Sequence, residues 1–462
     1  MAPAVIVLCH CGAAKQTVRL CDQTSNAPQE ISLCHCSTCR HNTGLLCVSY
    51  VDIDPPESVE GLVKYHPTAI TDTRFFCATC GCHVFRRLEY SANDDNDTGV
   101  SGGALATAEK KQSWAVATGV IVGLQEGTQE VHDTGNEVLM RYTKHINTAD
   151  TKDGGLSPFI QRVGDSSELE CLPHFPHTPT KIKESIQESP PDVEVKTYSG
   201  ENSKVEGESL NAFCHCGTVQ FHITRPNAAS TLPRSNVPDL MVPYHTGSPQ
   251  VKNPDDKKWW LRPALGSNSR APPQGLSTGK GELTRYMAGT CACVSCRLTS
   301  GFEIQTWAFI PRVNIFFHIR DNGTDLPGND SRAPSESQKI IPLDFSTLPA
   351  NILTSYESSP GVRREFCSRC GATVFWRDRW RPELMDVSVG LLDADEGARA
   401  ETWLDWWTGR VSFAEDAEIG RTGEIARSAR CLIDGLETGL RILGKQGEEG
   451  TNSLTQSPGG AS

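Results

Sequence analysis

An all-β chain built from two tandem copies of one domain, followed by a helix and a disordered tail, is the fold class that the sequence predicts. Three observations predict it. The cysteine clusters C-x-C, C-x-C-x-x-C and C-x-x-C-G occur twice in the same order. The runs around them are rich in β-branched and aromatic residues, the composition of strands. The length of 462 residues exceeds what one hydrophobic core usually organises.

The strand elements come first along the chain. Thr17-Val18-Arg19-Leu20 alternates, and Leu46 to Ile53 and Phe302 to Ile310 have strand composition. The cysteine pairs fall between such runs, where the chain reverses. Gly12, Gly81, Gly217 and Gly371 each follow a pair directly, as a tight knuckle with positive φ requires.

The duplication can be read position by position. LCHCGAAKQTV at 8–18 matches FCHCGTVQFHI at 213–223, and CHCSTCRHNTG at 34–44 matches CACVSCRLTSG at 291–301. RFFCATCGCHVFRR at 74–87 matches REFCSRCGATVFWR at 364–377. An apolar stretch follows in each half, WAVATGVIVGL at 114–124 and LMDVSVGLLD at 384–393. The second copy carries longer connections: Cys11 to Cys34 is 23 positions, against 75 from Cys216 to Cys291. Cys39 to Cys77 is 38, against 71 from Cys296 to Cys367.

This layout places the first domain at 1–150 and the second at 209–418, with insertions at about 225–285 and 318–345. The insertions are rich in Pro, Asn, Asp, Ser and Gly and read as surface loops, as does 91–112. Residues 165–208 read as a flexible linker. Ile425, Ala429, Leu432, Ile433, Leu436, Leu440 and Leu443 form one apolar stripe, so a helix is expected over 422–445, although Gly435 and Gly439 weaken it. Residues 446–462 read as a disordered tail.

Composition excludes several classes. The net charge of −12 argues against a protein held on nucleic acid by bulk electrostatics. No apolar run reaches about 18 residues, so no membrane span is expected. The start, MAPAVIVLCHCG, lacks the basic region of a secretory signal. Nineteen cysteines without such a signal fit reduced, metal-holding thiols and a cytoplasmic or nuclear compartment.

Each cysteine set holds seven thiols: Cys9, Cys11, Cys34, Cys36, Cys39, Cys77 and Cys80, then Cys214, Cys216, Cys291, Cys293, Cys296, Cys367 and Cys370. A closed structural zinc takes four thiolates, and a catalytic zinc takes three protein ligands with one open position. Seven divides into four plus three, which gives two zinc ions per domain and about four in total. One turn supplies two sulfurs and must recruit a second pair. Pairing Cys9/Cys11 with Cys77/Cys80, and Cys214/Cys216 with Cys367/Cys370, ties the start of each domain to its later half. The triplets Cys34/Cys36/Cys39 and Cys291/Cys293/Cys296 are left for the second zinc.

Two alternatives stay open at this point. The triplets are merely reduced cysteine, or all the metal is structural and His35 or Cys82 closes the fourth position. The second copy has Ala292 and Ala372 at those places, and neither binds zinc. His10 and His215, between paired cysteines, should point away from the metal. Cys47 reads as a buried small hydrophobe, and Cys21, Cys171 and Cys431 as incidental. Arg40 and Arg297 follow the triplets and are either solvated or placed to favour thiolate or a substrate carboxylate.

The three clusters, with Gly12, Arg40, Phe76, Gly81 and Phe85 around them, resemble the glutathione-dependent formaldehyde-activating enzyme family, which includes centromere protein V. The resemblance covers roughly 1–147 and 209–415. It implies a twisted-sheet zinc fold of the β-tent type, with C-x-C plus the late C-x-x-C as the structural site and the C-x-C-x-x-C triplet as the catalytic one. The second copy departs from it in having CAC for CHC and long insertions near the site.

The implied function is a carbon–sulfur lyase acting on a thiol adduct such as S-hydroxymethylglutathione, with glutathione or a similar small thiol as partner. The alternative is a non-enzymatic, zinc-stabilised interaction module that meets a protein partner through its insertions and C-terminal helix. The sequence names no general base.

Overall fold

A computed structural model describes residues 3–21, 28–67, 71–91, 110–125, 138–165, 168–175, 208–244, 249–265, 283–320 and 338–453. In the first copy five antiparallel strands run in the order Tyr50–Ile53, Lys110–Ala117, His83–Ser91, Asp72–Cys77, Leu62–Tyr65. The second copy repeats that order with Gln305–Pro311, Leu384–Ser388, Thr373–Asp378, Val362–Cys367 and Leu353–Ser359, and Leu283–Cys291 and Leu261–Pro263 extend it.

A smaller sheet recurs as well. Gln16–Arg19, Ala4–Val7 and Ile121–Leu124 correspond to Gln220–Thr224, Ser209–Phe213 and Leu392–Asp393, and the second is widened by Ile315–Arg320 and Gln338–Pro342. The strand that delivers each triplet pairs in parallel with a late strand. Gln29–Cys34 lies beside Met140–Ile146, and Leu283–Cys291 beside Leu404–Trp406. The all-β expectation holds, with three α-helices among the described residues.

Two of these helices were not expected from the strand-like periodicity. The helices α1 (Ser37–Thr43) and α2 (Val294–Ser300) begin inside the triplets, with Cys36 and Cys293 as N-caps. Each cap sulfur accepts the N–H of the third cysteine, Cys39 or Cys296. Seven residues are too few to show a helical stripe. Gly44 and Gly301 end these helices in the left-handed region, at φ 80° and 89°. The knuckle glycines Gly12, Gly81, Gly217 and Gly371 also have positive φ.

The copies meet through reciprocal contacts, each residue touching the counterpart of its own partner, as across a two-fold axis. The His10 N–H donates to the Leu298 carbonyl (2.9 Å), and the His215 N–H to the His41 carbonyl (2.9 Å). Gly119 donates to Gly301 and Gly390 to Gly44, at 3.0 and 3.1 Å. Gly44 lies so close to the Thr373 carbonyl that a Cβ would collide with it, and Gly301 stands in the same relation to His83. One continuous cluster of buried side chains runs through both copies.

The helix α3 (Gly423–Ser453) follows the second copy but packs against Ile121–Leu124 and Met140–Ile146 of the first. Its predicted stripe from Ile425 to Leu440 is buried. Gly435 and Gly439 do not weaken it. They let the helix backbone approach the Arg162 and Phe159 carbonyls, where a Cβ would collide. The helix also runs to 453, into the segment expected to be a tail.

The insertions are not simply surface loops. Trp259 and Trp260, in the first of them, are buried, and their indole N–H groups donate to the Asn236 and Ser230 carbonyls. The linker expectation also needs correction at its start, since Glu170–Leu172 pairs with Met140–Ile146. The rest of the linker from 176 to 207, most of the 91–112 loop, 321–337 of the second insertion and the tail from 454 onward lie outside the described residues. No helix of the described residues is long and apolar enough to cross a membrane.

Candidate metal centres

The fourteen cysteines singled out above come together in four groups. The sulfurs of Cys9, Cys11, Cys77 and Cys80 all lie within 4.8 Å of one another, as do those of Cys214, Cys216, Cys367 and Cys370. The sulfur separations include 3.6 Å for Cys9–Cys11, 3.5 Å for Cys11–Cys77 and 3.4 Å for Cys214–Cys216. Four thiolates around zinc, with bonds of about 2.3 Å, form a tetrahedron with edges of roughly 3.8 Å. Both groups fit that donor set. The knuckles assist, because Ala14 and Val219 direct N–H groups at the Cys9 and Cys214 sulfurs, at 3.4 and 3.3 Å. Positive φ at the glycine after each pair turns the chain back so that both sulfurs face inward.

The triplets form the other two groups, Cys34/Cys36/Cys39 and Cys291/Cys293/Cys296, again within 4.8 Å. Strand end, helix cap and first helical turn supply one sulfur each. Neither His35 nor Cys82 joins them. His35 is buried against His145, nitrogen to nitrogen at 2.8 Å, and Cys82 donates toward the His83 carbonyl. Each triplet thus offers three protein donors, and Cys36 and Cys293 are only half-buried.

A buried arginine serves each triplet. The Arg74 guanidinium donates to the Cys39 sulfur and Arg364 to the Cys296 sulfur, both at 3.5 Å. Arg74 is fixed by Asp72 at 3.0 Å and by the Tyr50 hydroxyl at 3.1 Å. The Cys39 thiol is held well below its ordinary range by hydrogen bonds from Cys34 and Cys36 and by Arg74, against the opposing effect of burial. Cys296 is lowered in the same way by Cys291, Cys293 and Arg364. In each triplet the shift at the third cysteine is toward the thiolate, the form that binds metal, while its two neighbours are shifted upward.

Sequence reasoning pointed to different arginines. Arg40 and Arg297 are buried, not solvated, and Arg297 donates to the Gly119 and Ile419 carbonyls rather than to sulfur. The signal for Arg74 and Arg364 was present, since both stand three places before Cys77 and Cys367 in the matching segments. His10 and His215 turn away from the thiols and meet Tyr356 and Tyr65 of the other copy. Cys47 is fully buried, and Cys171 is exposed.

The surroundings of the two triplets differ. Asn147 in the first copy and Phe413 in the second occupy the same left-handed position, at φ 57° and 53°. Asn147 donates to the Cys34 sulfur at 3.4 Å, which Phe413 has no group to do. Tyr50 and Arg86 of the first copy correspond to Trp307 and Trp376 of the second. Trp307, Trp376 and Phe413 pack with the second triplet.

Residues 4–118 match the family model described as glutathione-dependent formaldehyde-activating enzyme. No curated protein and no solved structure matches the chain.

Proposed function

We propose, from the match of residues 4–118 to the glutathione-dependent formaldehyde-activating enzyme family model, that this protein is a zinc-dependent carbon–sulfur lyase. It acts on a thiol adduct such as S-hydroxymethylglutathione, with glutathione as the thiol. Residues 1–150 and 209–418 are read as tandem copies of the domain. Each has a structural zinc on four cysteines and a second zinc on the triplet, so the chain holds about four. Reduced thiols of this number suit the cytoplasm or nucleus.

The observation that carries the reading is a three-thiol group with no fourth protein ligand among the described residues, set beside a buried arginine. Zinc bound there lowers the pKa of a bound thiol and stabilises sulfur as a leaving group. The protein's part is to hold three sulfurs at one strand–helix junction and to balance their charge. Arg74 and Arg364 oppose the accumulated negative charge, while the Cys39 and Cys296 N–H groups orient the cap sulfurs. Asn147 adds a donor in the first copy, which makes that copy the better candidate for glutathione chemistry.

The test is exchange between formaldehyde and glutathione, followed by NMR in the presence of the reduced, zinc-loaded chain. The protein-dependent rate is expected to vanish in the double variant Cys36→Ser, Cys293→Ser while the circular dichroism spectrum is kept. A rate that survives in that variant overturns the assignment. No protein-dependent exchange in the parent chain would favour the interaction module.

A further inference from the structure

We infer that the second triplet site selects a thiol with an aromatic or branched apolar carbon skeleton, whereas the first selects an anionic thiol. The inference rests on the thiol-binding reading of the triplets and adds a substrate class to each.

Three equivalent positions around the triplets carry it. Tyr50, Arg86 and Asn147 surround the first, and each is polar or charged. Arg86 pairs with Asp72 at 3.1 Å, the carboxylate that also holds Arg74 against Cys39, and its side chain remains 31% accessible, so it presents a partly exposed cation on that side of the triplet. Trp307, Trp376 and Phe413 stand at those positions in the second copy. Trp307 is buried with Cys291 and Cys296, and the half-exposed Trp376 and Phe413 pack against that group, as Cys293 does. The wall that meets an incoming group is therefore aromatic in one copy and polar in the other.

The second wall is held in place by its surroundings. A phenylalanine in the left-handed region is uncommon, and this one is pinned by the buried Asp239 carboxylate, which accepts the Phe413 N–H at 2.7 Å. Asp239 also accepts the Ser412 hydroxyl (3.2 Å) and pairs with Arg410 at 3.4 Å. Asp239 belongs to the insertion that the first copy lacks, and Tyr244 of the same insertion sets its ring 6.1 Å from Phe413. The nearby cation Arg381 is already engaged. It lies 4.7 Å over the Trp376 ring and pairs with Asp386 at 2.8 Å, and its side chain is only 12% exposed, so it is covered where the likewise paired Arg86 still reaches the surface. An aromatic wall with its neighbouring charge internally paired favours an apolar partner over a charged tripeptide.

The test uses the full chain with cobalt(II) in place of zinc, which makes thiol binding visible in the sulfur-to-metal absorption band. Cys36→Ser leaves only the second triplet intact, and Cys293→Ser leaves only the first. Phenylmethanethiol and glutathione are titrated into each. In Cys36→Ser the aromatic thiol is expected to bind at least roughly tenfold more tightly than glutathione, with the order reversed in Cys293→Ser. Adding Phe413→Asn and Trp376→Arg to Cys36→Ser should lower that preference about tenfold. Both replacements copy the first site, and asparagine suits the left-handed position, so the fold is retained. Equal preferences at the two sites, or a preference unchanged by these replacements, overturn the inference alone. If neither thiol alters the cobalt spectrum at either site, the underlying thiol-binding reading fails with it.

Discussion

The Tyr65 hydroxyl hydrogen-bonds the His215 ring at 2.7 Å, and Tyr356 repeats the relation on His10 at 2.8 Å. Each tyrosine reaches from one copy to the residue between the paired cysteines of the other. The four-thiol knuckle of each copy is thus braced by its neighbour. Tyr65→Phe and Tyr356→Phe should each lower stability by about 1 kcal/mol. The two effects should add, because the pairs share no partner. Urea denaturation of the singles and the double checks both statements.

A second cross-copy tie is fully buried. Glu303 pairs with Arg421 at 2.9 Å, with side chains 1% and 0% exposed, and accepts the Thr118 hydroxyl at 2.7 Å. Glu303→Ala strands a buried guanidinium and is expected to cost about 3–5 kcal/mol. Glu303→Leu with Arg421→Met should recover much of that loss, since the pair's desolvation penalty is removed together with its attraction. The comparison of urea midpoints decides it.

Gly439→Ala tests the docking of α3. Alanine is the better helix former by about 1 kcal/mol in an open helix. Here the added Cβ meets the Phe159 carbonyl, so the expected net effect is a destabilisation of roughly 1–3 kcal/mol. Limited proteolysis should then cut α3 sooner than in the parent chain.

Acid should destabilise the fold through buried imidazoles. Burial holds His145 at about 4, and burial together with Arg74 holds His83 at about 4. Unfolded histidine titrates near 6.5. Between those values the unfolded chain takes up protons that the folded chain refuses, so stability is full above about 6.5 and falls as pH drops toward 4. Each group contributes a loss of about 2 kcal/mol between pH 7 and pH 5. His145→Gln should flatten the fall in urea midpoint over that interval, relative to the parent chain.

Much of this was legible in the sequence because ligand chemistry is local. The spacing of Cys9 and Cys11, or of Cys77 and Cys80, points to a knuckle, and the repeated order of the clusters is matched by a repeated strand order in the two larger sheets. Arg74 was less visible, since its contact with Cys39 crosses from one strand to a helix start 35 positions away. Phe413 and Asn147 were not legible, because their equivalence appears only once the preceding residues, Ser412 and Ile146, are seen to lie parallel to Cys291 and Cys34. Trp259 and Trp260 were misjudged because their polar flanks resemble a loop. Their burial depends on Ser230 and Asn236, far from them in sequence.

The four-plus-three division of each cysteine set is the central claim, and zinc counting by native mass spectrometry tests it most directly. The freshly purified, reduced chain should carry about four zinc ions, and Cys36→Ser with Cys293→Ser should carry about two while remaining folded. Two ions in the parent chain, with no uptake when zinc is added, would contradict it.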